Sequence, residues 1–174
     1  MANELRIRQP ETLFLTPSDW VPNHPSLPVL FYRNILAPAP TDCAPVFERL
    51  FSDAGWQGLW RNGIFSYQHY HVRAHEVLGI AKGTAELLIG GPGRSVLHVS
   101  AGDCLVLPSG TGHMCNSASD DFLVVGAYPA GQHADIETAA ATPGDLKIIA
   151  TLPIPQSDPI YGPGGPLRAL WGDL

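Results

Sequence analysis

The chain has 174 residues, 45% of them hydrophobic and 15% charged, and a formal net charge of −6 without any run of basic residues. This charge pattern excludes the clustered Lys and Arg on which nucleic-acid binding depends, and no apolar run approaches the roughly 20 residues that cross a bilayer. The opening MANELRIRQPETLF lacks the apolar segment of a secretory signal, and Cys43, Cys104 and Cys115 lack CxxC spacing, so we expect reduced thiols and a cytoplasmic protein that binds no membrane.

The first 60 residues predict an extended arm followed by a helix. Residues 1–40 contain too many prolines for a helix, and the stretch WVPNHPSLPVLFYRN predicts an N-terminal arm along the surface of the core, with one short strand. Residues 41–60 predict a helix and a cover. The helix over 42–54 has its apolar residues on one face, and Trp56 and Trp60 then close over the core.

Residues 63–128 carry the pattern of a β domain. Apolar runs of strand length alternate with glycine turns at spacings of about 8–12 residues, which is typical of a sandwich or barrel. The runs are IFSYQHYH, HEVLGIAKG, TAELLIG, SVLHV, DCLVLP, HMCN and DFLVVGAY. We therefore expect an all-β core of six or seven strands.

Residues 129–174 predict a C-terminal loop and a Pro/Gly-rich arm. Residues 132–144 form a loop or a short helix, and the tail LPIPQSDPIYGPGGPLRALW is too rich in Pro and Gly for regular structure. Its scattered apolar residues indicate docking on the core or on a partner subunit. Extended arms at both ends favour a homodimer.

Three of the seven histidines and one glutamate lie within eight residues of each other, between His69 and Glu76. Alternate side chains of a strand share a face, so His69 and His71 point the same way, together with Phe65 and Tyr67. Two imidazoles on one face make a good seat for a metal ion. A fourth ligand must come from elsewhere, and His113 is the best candidate because the preceding Pro-Ser-Gly-Thr-Gly turn presents it at a strand start.

Two stretches of the chain resemble the paired motifs of the cupin family. The first reads Gly63–x5–His69–x–His71–x4–Glu76–x6–Gly83, and the second reads Gly102–x5–Pro108–x–Gly110–x2–His113. This resemblance covers residues 63–128. The flanks PNHPSLPVLFYRN and DPIYGPGGPL resemble a bacterial group of single-domain cupins, the YjlB-like type, which extends the match to nearly the whole chain.

The resemblance implies a double-stranded β-helix, or jelly roll, in a single cupin domain over residues 1–174. It also implies a metal inside the barrel mouth, held by His69, His71, Glu76 and His113. Cupins place three or four residues between the second histidine and the glutamate, so either His75 or Glu76 can occupy the third ligand position. We favour Glu76, because a carboxylate completes the usual set of three histidines and one glutamate. His75 then lies behind the ligands or faces outward.

Five further residues are candidates for the pocket around the metal. Aromatic residues are common in any barrel core, and a buried cysteine usually serves as a small apolar residue, so each has a purely structural reading beside the functional one. The candidates are Phe65, Tyr67, His75, Cys115 and Tyr128. Lys82 and Arg73 are the nearest cations, and we read both as surface charges.

Three imidazoles and one carboxylate predict one divalent transition metal per chain, and this donor set does not choose among Fe, Mn, Ni, Co and Zn. Such an ion polarises an oxygen of a ligand, activates water or binds dioxygen. We therefore predict a metal-dependent oxygenase or isomerase acting on a small oxygen-bearing organic molecule. The alternatives are a non-catalytic cupin that binds a small molecule or metal as a sensor or store, and a structural dimer module.

Overall fold

The computed structural model describes residues 7–36 and 41–172. Residues 1–6 and 37–40 of the predicted N-terminal arm, and residues 173–174 of the predicted C-terminal arm, lie outside the described residues. The described part contains nine strands: β1 (Glu11–Leu13), β2 (Val29–Tyr32), β3 (Gln57–Asn62), β4 (Glu76–Lys82), β5 (Thr84–Ile89), β6 (Val96–Ser100), β7 (Cys104–Leu107), β8 (His113–Ala118) and β9 (Leu123–Tyr128). It also contains three helices: α1 (Ala44–Asp53), α2 (Pro143–Thr151) and α3 (Pro166–Trp171).

The strands form two antiparallel sheets. The larger sheet has the order β1-β2-β7-β4-β9-β3, and the smaller one has the order β6-β5-β8. Six of the predicted runs are the strands β4 to β9. The predicted strand IFSYQHYH is wrong, because residues 63–75 contain only isolated bridges. Strand β3 lies in the predicted cover instead, as an edge strand with mostly exposed residues that gave no hydrophobic pattern.

The interior between the two sheets holds one apolar cluster. Strand β5 shows how the sequence builds it, since Ala85, Leu87 and Ile89 are buried while the residues between them are more exposed. This alternation places every second side chain on the inner face. The buried side chains of β5 meet those of β4, β7 and β9, among them Leu78, Leu105 and Val124.

A second apolar cluster lies on the other face of the larger sheet, beneath helix α1. The helix packs Phe47 and Phe51 against the sheet, and both rings are fully buried. Gly79 of β4 makes this approach possible, because a Cβ at that position would lie 2.6 Å from the Phe47 ring. Strand β4 is covered on both faces, which explains why its residues EVLGIA are all buried.

The short strand predicted in the N-terminal arm lies inside the larger sheet and not along its surface. All four residues of β2 are buried, and β2 pairs with β1 on one side and β7 on the other. Leu30 and Tyr32 face the α1 cluster, while Val29 and Phe31 face the interior between the sheets. Because prolines flank this segment on both sides, the sequence predicts a surface arm where the structure has an interior strand of the sheet.

The C-terminal tail docks on the core of its own chain. Leu167 and Trp171 are fully buried, and the Trp171 indole donates to the Pro28 carbonyl at 2.9 Å. The buried Asp158 carboxylate accepts hydrogen bonds from the Tyr32 hydroxyl and from the Leu167 amide. The expectation of a tail without regular structure is wrong for helix α3, which begins with a proline at a position where its missing N–H costs nothing.

Within the described ranges, no helix combines the length and the apolar character that a membrane crossing requires.

Candidate metal centre

The histidine-rich segment is extended but is not a strand. His69 exchanges two backbone hydrogen bonds with His113, at 3.2 and 2.9 Å, and Tyr70 exchanges two with Glu137. Because consecutive residues pair with different partners, no ladder forms. Both imidazoles nevertheless line the same cavity, as does Phe65, whereas Tyr67, which the alternation placed on the same face, does not.

His69, His71 and His113, which we call the histidine cluster, are brought together from the two motifs. The ring centroids of His69 and His113 are 4.0 Å apart, and the His71 ring lies 5.5 Å from the first and 5.3 Å from the second. All three residues are buried, and each offers a ring nitrogen within 4.8 Å of those of the others. Three imidazole nitrogens at this separation could hold one metal ion.

Hydrogen bonds fix the orientation of each ring. Each Nδ1 atom faces a backbone carbonyl oxygen: that of Tyr67 for His69 (3.1 Å), that of Asp135 for His71, and that of Thr111 for His113 (2.9 Å). A carbonyl only accepts, so each Nδ1 carries the hydrogen and each neutral ring has its lone pair on Nε2. This outward hydrogen bond is the support that metal-ligating histidines usually have.

Glu76, the first residue of strand β4, lies next to two members of the cluster. Its Oε2 atom lies 3.2 Å from the His71 Nε2 and 3.3 Å from the His113 Nε2. Burial alone would raise the pKa of Glu76, but the charge of a protonated His71 and the nearby His113 ring outweigh it and hold the pKa well below the usual value. The carboxylate is therefore ionised and lies beside two of the three imidazoles.

The imidazoles of the cluster differ in basicity. Burial lowers the pKa of His69 to about 3, with a further contribution from repulsion by His113. Burial also acts to lower the pKa of His71, but the neighbouring Glu76 charge and hydrogen bond reverse the effect and raise it. The Nε2 of His71 must lose its proton before it binds a cation, so metal binding at this cluster competes with protons.

The cluster forms one wall of a cavity of about 340 Å³ that is open to solvent. The other lining residues are mostly apolar or aromatic: Trp60, Asn62, Gly63, Ile64, Phe65, Leu78, Tyr128, Ala134 and Ile136. A small cavity with an apolar wall and a few convergent polar groups is the usual form of a small-molecule site.

Trp60 and Tyr128 support the cavity wall next to Glu76. The Trp60 indole donates to the Tyr128 hydroxyl at 3.0 Å, and that hydroxyl also interacts with the Glu76 carboxylate. The Trp60 ring crosses directly over Gly126, where any Cβ would collide with it. The sequence predicts only that Trp60 covers the core. No local pattern relates it to a glycine 66 positions later in the chain.

Asp135 anchors the histidine segment, and no pattern in the sequence points to it. Its carboxylate accepts from the Val72 amide at 2.9 Å and from the Arg73 amide at 2.8 Å, while its own carbonyl accepts from His71 Nδ1. The neighbouring Ile136 then forms part of the cavity wall. These contacts join residues more than 60 positions apart, so no sequence window contains them.

The structure brings some of the other candidates to the site and leaves others away from it. Phe65 and Tyr128 line the cavity, whereas Tyr67 stacks on Phe65 outside the lining, with ring centroids 5.0 Å apart. His75 is fully buried behind the ligands; its Nδ1 accepts from the Ser109 amide and its ring packs on Trp171. Cys115 packs against the interior cluster and is not part of the lining.

Neither of the cations considered from the sequence reaches the cavity. Lys82 pairs with Asp42 at 3.2 Å, Arg73 is exposed, and neither lines the cavity. The reading of both as surface charges agrees with these positions.

Two antiparallel sheets around an apolar interior, with three histidines and a glutamate in a cavity between them, define a jelly-roll protein with a candidate metal centre. The family model that matches residues 60–150 is that of the cupins. The uncharacterized protein YjlB of Bacillus subtilis (strain 168) is 34% identical over 166 residues, which span 94% of this chain and 98% of that protein. The chain belongs to the cupin family, and the predicted all-β jelly-roll fold is confirmed.

Two solved structures show weaker similarity. One is the acireductone dioxygenase from Bacillus anthracis with a cadmium ion in its active centre, at 15% identity and a TM-score of 0.39, covering 64% of this chain and 79% of that one. The other is procruciferin, an 11S globulin from Brassica napus, at 17% identity and a TM-score of 0.38, covering 70% of this chain and 30% of that one.

Proposed function

We propose that this cupin is a metal-dependent enzyme that acts on a small oxygen-bearing organic molecule. In this proposal His69, His71, Glu76 and His113 hold one divalent transition metal ion per chain. The observation that carries it is the arrangement of the histidine cluster: every Nδ1 faces a backbone carbonyl, which leaves Nε2 as the atom available to a metal, and the three residues offer ring nitrogens within 4.8 Å of one another. The ionised carboxylate of Glu76 beside two of these nitrogens adds the negative charge that a divalent cation requires.

The donor set fits Fe, Mn, Ni, Co or Zn and disfavours copper(I) and clusters, which prefer sulfur ligands. When bound, such an ion supplies Lewis acidity and, if it is iron or manganese, oxygen chemistry. The chain contributes the rest: the backbone carbonyls keep the three rings in position, Trp60 and Tyr128 support Glu76, and the apolar wall excludes water from one side of the cavity.

Between the two reaction types, the lining of the cavity favours an oxygenase over an isomerase. An isomerase moves a proton and needs a base close to the substrate. Among the described residues of the lining, Tyr128 is the only titratable side chain besides the four proposed ligands. Burial raises the pKa of Tyr128, so its hydroxyl stays protonated and donates rather than removes a proton.

The same scarcity of proton-transfer groups supports a second candidate, a non-catalytic cupin that binds a small molecule or a metal as a sensor or store. Such a module needs only the ligands and the apolar wall. The two candidates differ in whether the metal-loaded protein consumes a co-substrate.

Elemental analysis of protein purified without an affinity tag or a chelator tests the proposal. We expect close to one metal ion per chain in the wild type and none in the His69→Ala/His71→Ala variant. An oxygen electrode then separates the candidates, with small oxygen-bearing organic molecules supplied as the compound to be oxidised. Oxygen uptake by the iron- or manganese-loaded protein with such a compound supports the oxygenase, and its absence with each compound supplied supports the binding module. A protein that neither contains nor takes up metal contradicts the enzyme and the metal-binding module, and leaves only a module that binds a small molecule without metal.

The homodimer and the cytoplasmic location expected from the sequence stay predictions. Burial of α3 in its own chain supports the proposal that residues 1–174 form one domain, and it leaves fewer apolar residues of the tail for a partner. Sedimentation velocity of the full chain tests the homodimer.

A further inference from the structure

The charge around the cavity limits what its ligand can carry. Within the described residues, the lining contains neither Lys nor Arg, and its only carboxylate is Glu76. A divalent ion beside one carboxylate and three neutral imidazoles leaves one net positive charge, which balances a single negative charge on a ligand. A phosphate or a second carboxylate would be desolvated in this cavity without a cation to pair with it, which is costly.

The cavity lining next to the histidine cluster is suited to apolar contact. Ile64, Phe65, Leu78 and Ile136 all line the cavity. Phe65 packs edge-on against His69, with ring centroids 5.2 Å apart and planes at 71°. The apolar surface therefore begins directly beside a proposed metal ligand, at the distance where the body of a bound molecule would lie.

The apolar wall continues to the mouth of the cavity. Phe65 is 45% exposed and stacks face to face on Tyr67, which is also 45% exposed, and Ile136 is 50% exposed. Single exposed apolar residues are ordinary on protein surfaces, but Phe65 and Ile136 both line one cavity, and Tyr67 extends the apolar surface next to Phe65, which indicates a binding surface. An aromatic group that leaves the cavity between Phe65 and Ile136 would cover both.

From this arrangement, and resting on the proposed function, we infer the class of ligand. We propose that it has one oxygen-bearing head of at most one negative charge, directed at the histidine cluster, and an apolar, aromatic body that lies against Phe65 and Ile136. It carries neither a phosphate nor a second carboxylate. The cavity of about 340 Å³ fits such a molecule, since it lies at the lower end of the roughly 300–1,000 Å³ found for small-molecule sites.

Three 2-oxo acids with the same metal-binding head test this inference: pyruvate, phenylpyruvate and 2-oxoglutarate. They are titrated into the zinc-loaded full chain by isothermal titration calorimetry, after the metal content has been measured. We expect phenylpyruvate to bind about 10-fold or more tighter than pyruvate, because its ring is buried against the apolar wall. The second carboxylate of 2-oxoglutarate should make it bind no tighter than pyruvate.

Two variants on exposed positions sharpen the test. Phe65→Ala should lower the affinity for phenylpyruvate by about 10-fold and change the affinity for pyruvate by no more than about twofold, because only the phenyl ring of the ligand loses a contact. Ile136→Lys should raise the affinity for 2-oxoglutarate by about 10-fold, because the new lysine supplies a cation that pairs with the second carboxylate at the mouth of the cavity. Val96→Ala, another exposed apolar position remote from the cavity, is the matched control and should change none of the three affinities.

The inference is overturned if 2-oxoglutarate binds as tightly as phenylpyruvate, if phenylpyruvate does not bind, or if Phe65→Ala weakens all three compounds equally. These outcomes are distinct from failure of the proposed function, which shows as a metal content near zero before any titration. A protein that binds no metal has nothing to coordinate the oxygen-bearing head of the ligand, so that result overturns the inference as well.

Discussion

The chain buries two groups of histidines, and the direction of their lone pairs separates them. In the histidine cluster each Nδ1 donates to a carbonyl and each Nε2 faces the cavity. In the second group, His24 and His75, which we call the core histidines, Nδ1 accepts backbone N–H bonds instead: from Leu27 at 2.9 Å in His24 and from Ser109 at 2.9 Å in His75. Their lone pairs are already used, and the rings lie in the packed interior.

The difference shows that burial and proximity alone do not make a metal site. The core histidines are as buried as the cluster, and their ring centroids are 6.5 Å apart. Yet no carboxylate of the described residues acts on either ring, and their Nδ1 atoms accept hydrogen bonds from the backbone. The tautomer imposed by the backbone decides which imidazoles remain available to a ligand.

The largest effect that tests this comparison is loss of metal from the cluster. His71→Ala should reduce divalent metal affinity roughly 100-fold or more, because the variant loses a ligand and leaves Glu76 with one fewer neighbour. Equilibrium dialysis with elemental analysis measures it. The matched control is His98→Ala, which removes an exposed histidine whose side chain is 74% accessible and should retain full metal content. Equal affinity of both variants for metal would contradict the assignment of the cluster.

Replacing a core histidine should lower the stability of the protein and leave its metal content unchanged. His75→Ala should lower the free energy of unfolding by about 3 kcal/mol, because it leaves a cavity against Trp171 and removes the acceptor of the Ser109 amide. Chemical denaturation measures the loss, and elemental analysis of the same sample should still find the wild-type metal content. Loss of metal without loss of stability would place His75 among the ligands instead.

A smaller effect on metal affinity is expected when a residue that positions the cluster, rather than a ligand, is replaced. Asp135→Ala should weaken metal binding about 10- to 100-fold without removing a ligand, because the segment that carries the carbonyl acceptor of His71 loses its anchors on Val72 and Arg73. Asp145→Ala is the matched control, since this carboxylate caps helix α2 at Thr142 and has no contact with the cluster. If both variants bind metal like the wild type, the positioning role of Asp135 is wrong.

The smallest effect concerns the pH dependence of folding. Burial lowers the pKa of His24 to about 4, from 6.5 in the unfolded chain, so the unfolded state binds more protons below pH 6.5. Stability is therefore lost as the pH falls from 6.5 towards 4, and this residue alone should cost about 2 kcal/mol by pH 5. His24→Asn keeps an acceptor for the Leu27 amide but does not titrate.

Urea denaturation between pH 7 and pH 5 compares the two proteins. The stability gap between the wild type and His24→Asn should shrink by about 2 kcal/mol over this range. Parallel pH profiles would show that His24 is not held neutral by the fold.

Much of the fold could be predicted from the sequence where the pattern is local. Strands β4 to β9 follow from short apolar runs between glycine turns, and the spacing of His69, His71 and Glu76 follows from one motif. Strand β2 was placed on the surface because prolines flank it, although its buried side chains depend on pairing with β7, more than 70 residues later. Helix α3 was missed because Pro166 and the glycines before it suggested irregular structure, whereas a proline fits the first turn of a helix.

In the candidate site, too, the residues selected by local motifs could be predicted and those positioned by distant contacts could not. His113 could be selected because its motif places it at the start of a strand, and Glu76 could be favoured over His75 on chemical grounds. Asp135, Ile136 and the position of Trp60 over Gly126 could not be predicted, because they depend on contacts between distant segments. The tautomers depend on backbone carbonyls, whose positions the sequence does not encode locally.

The central claim is that the histidine cluster and Glu76 bind one divalent metal ion through Nε2 atoms and a carboxylate. X-ray absorption spectroscopy of the zinc-loaded full chain tests it most directly. The account predicts nitrogen and oxygen neighbours only, with scattering from three imidazoles, and loss of the bound metal in His69→Ala/His71→Ala. Sulfur in the first shell, or an unchanged spectrum in that variant, would place the metal elsewhere and contradict the account.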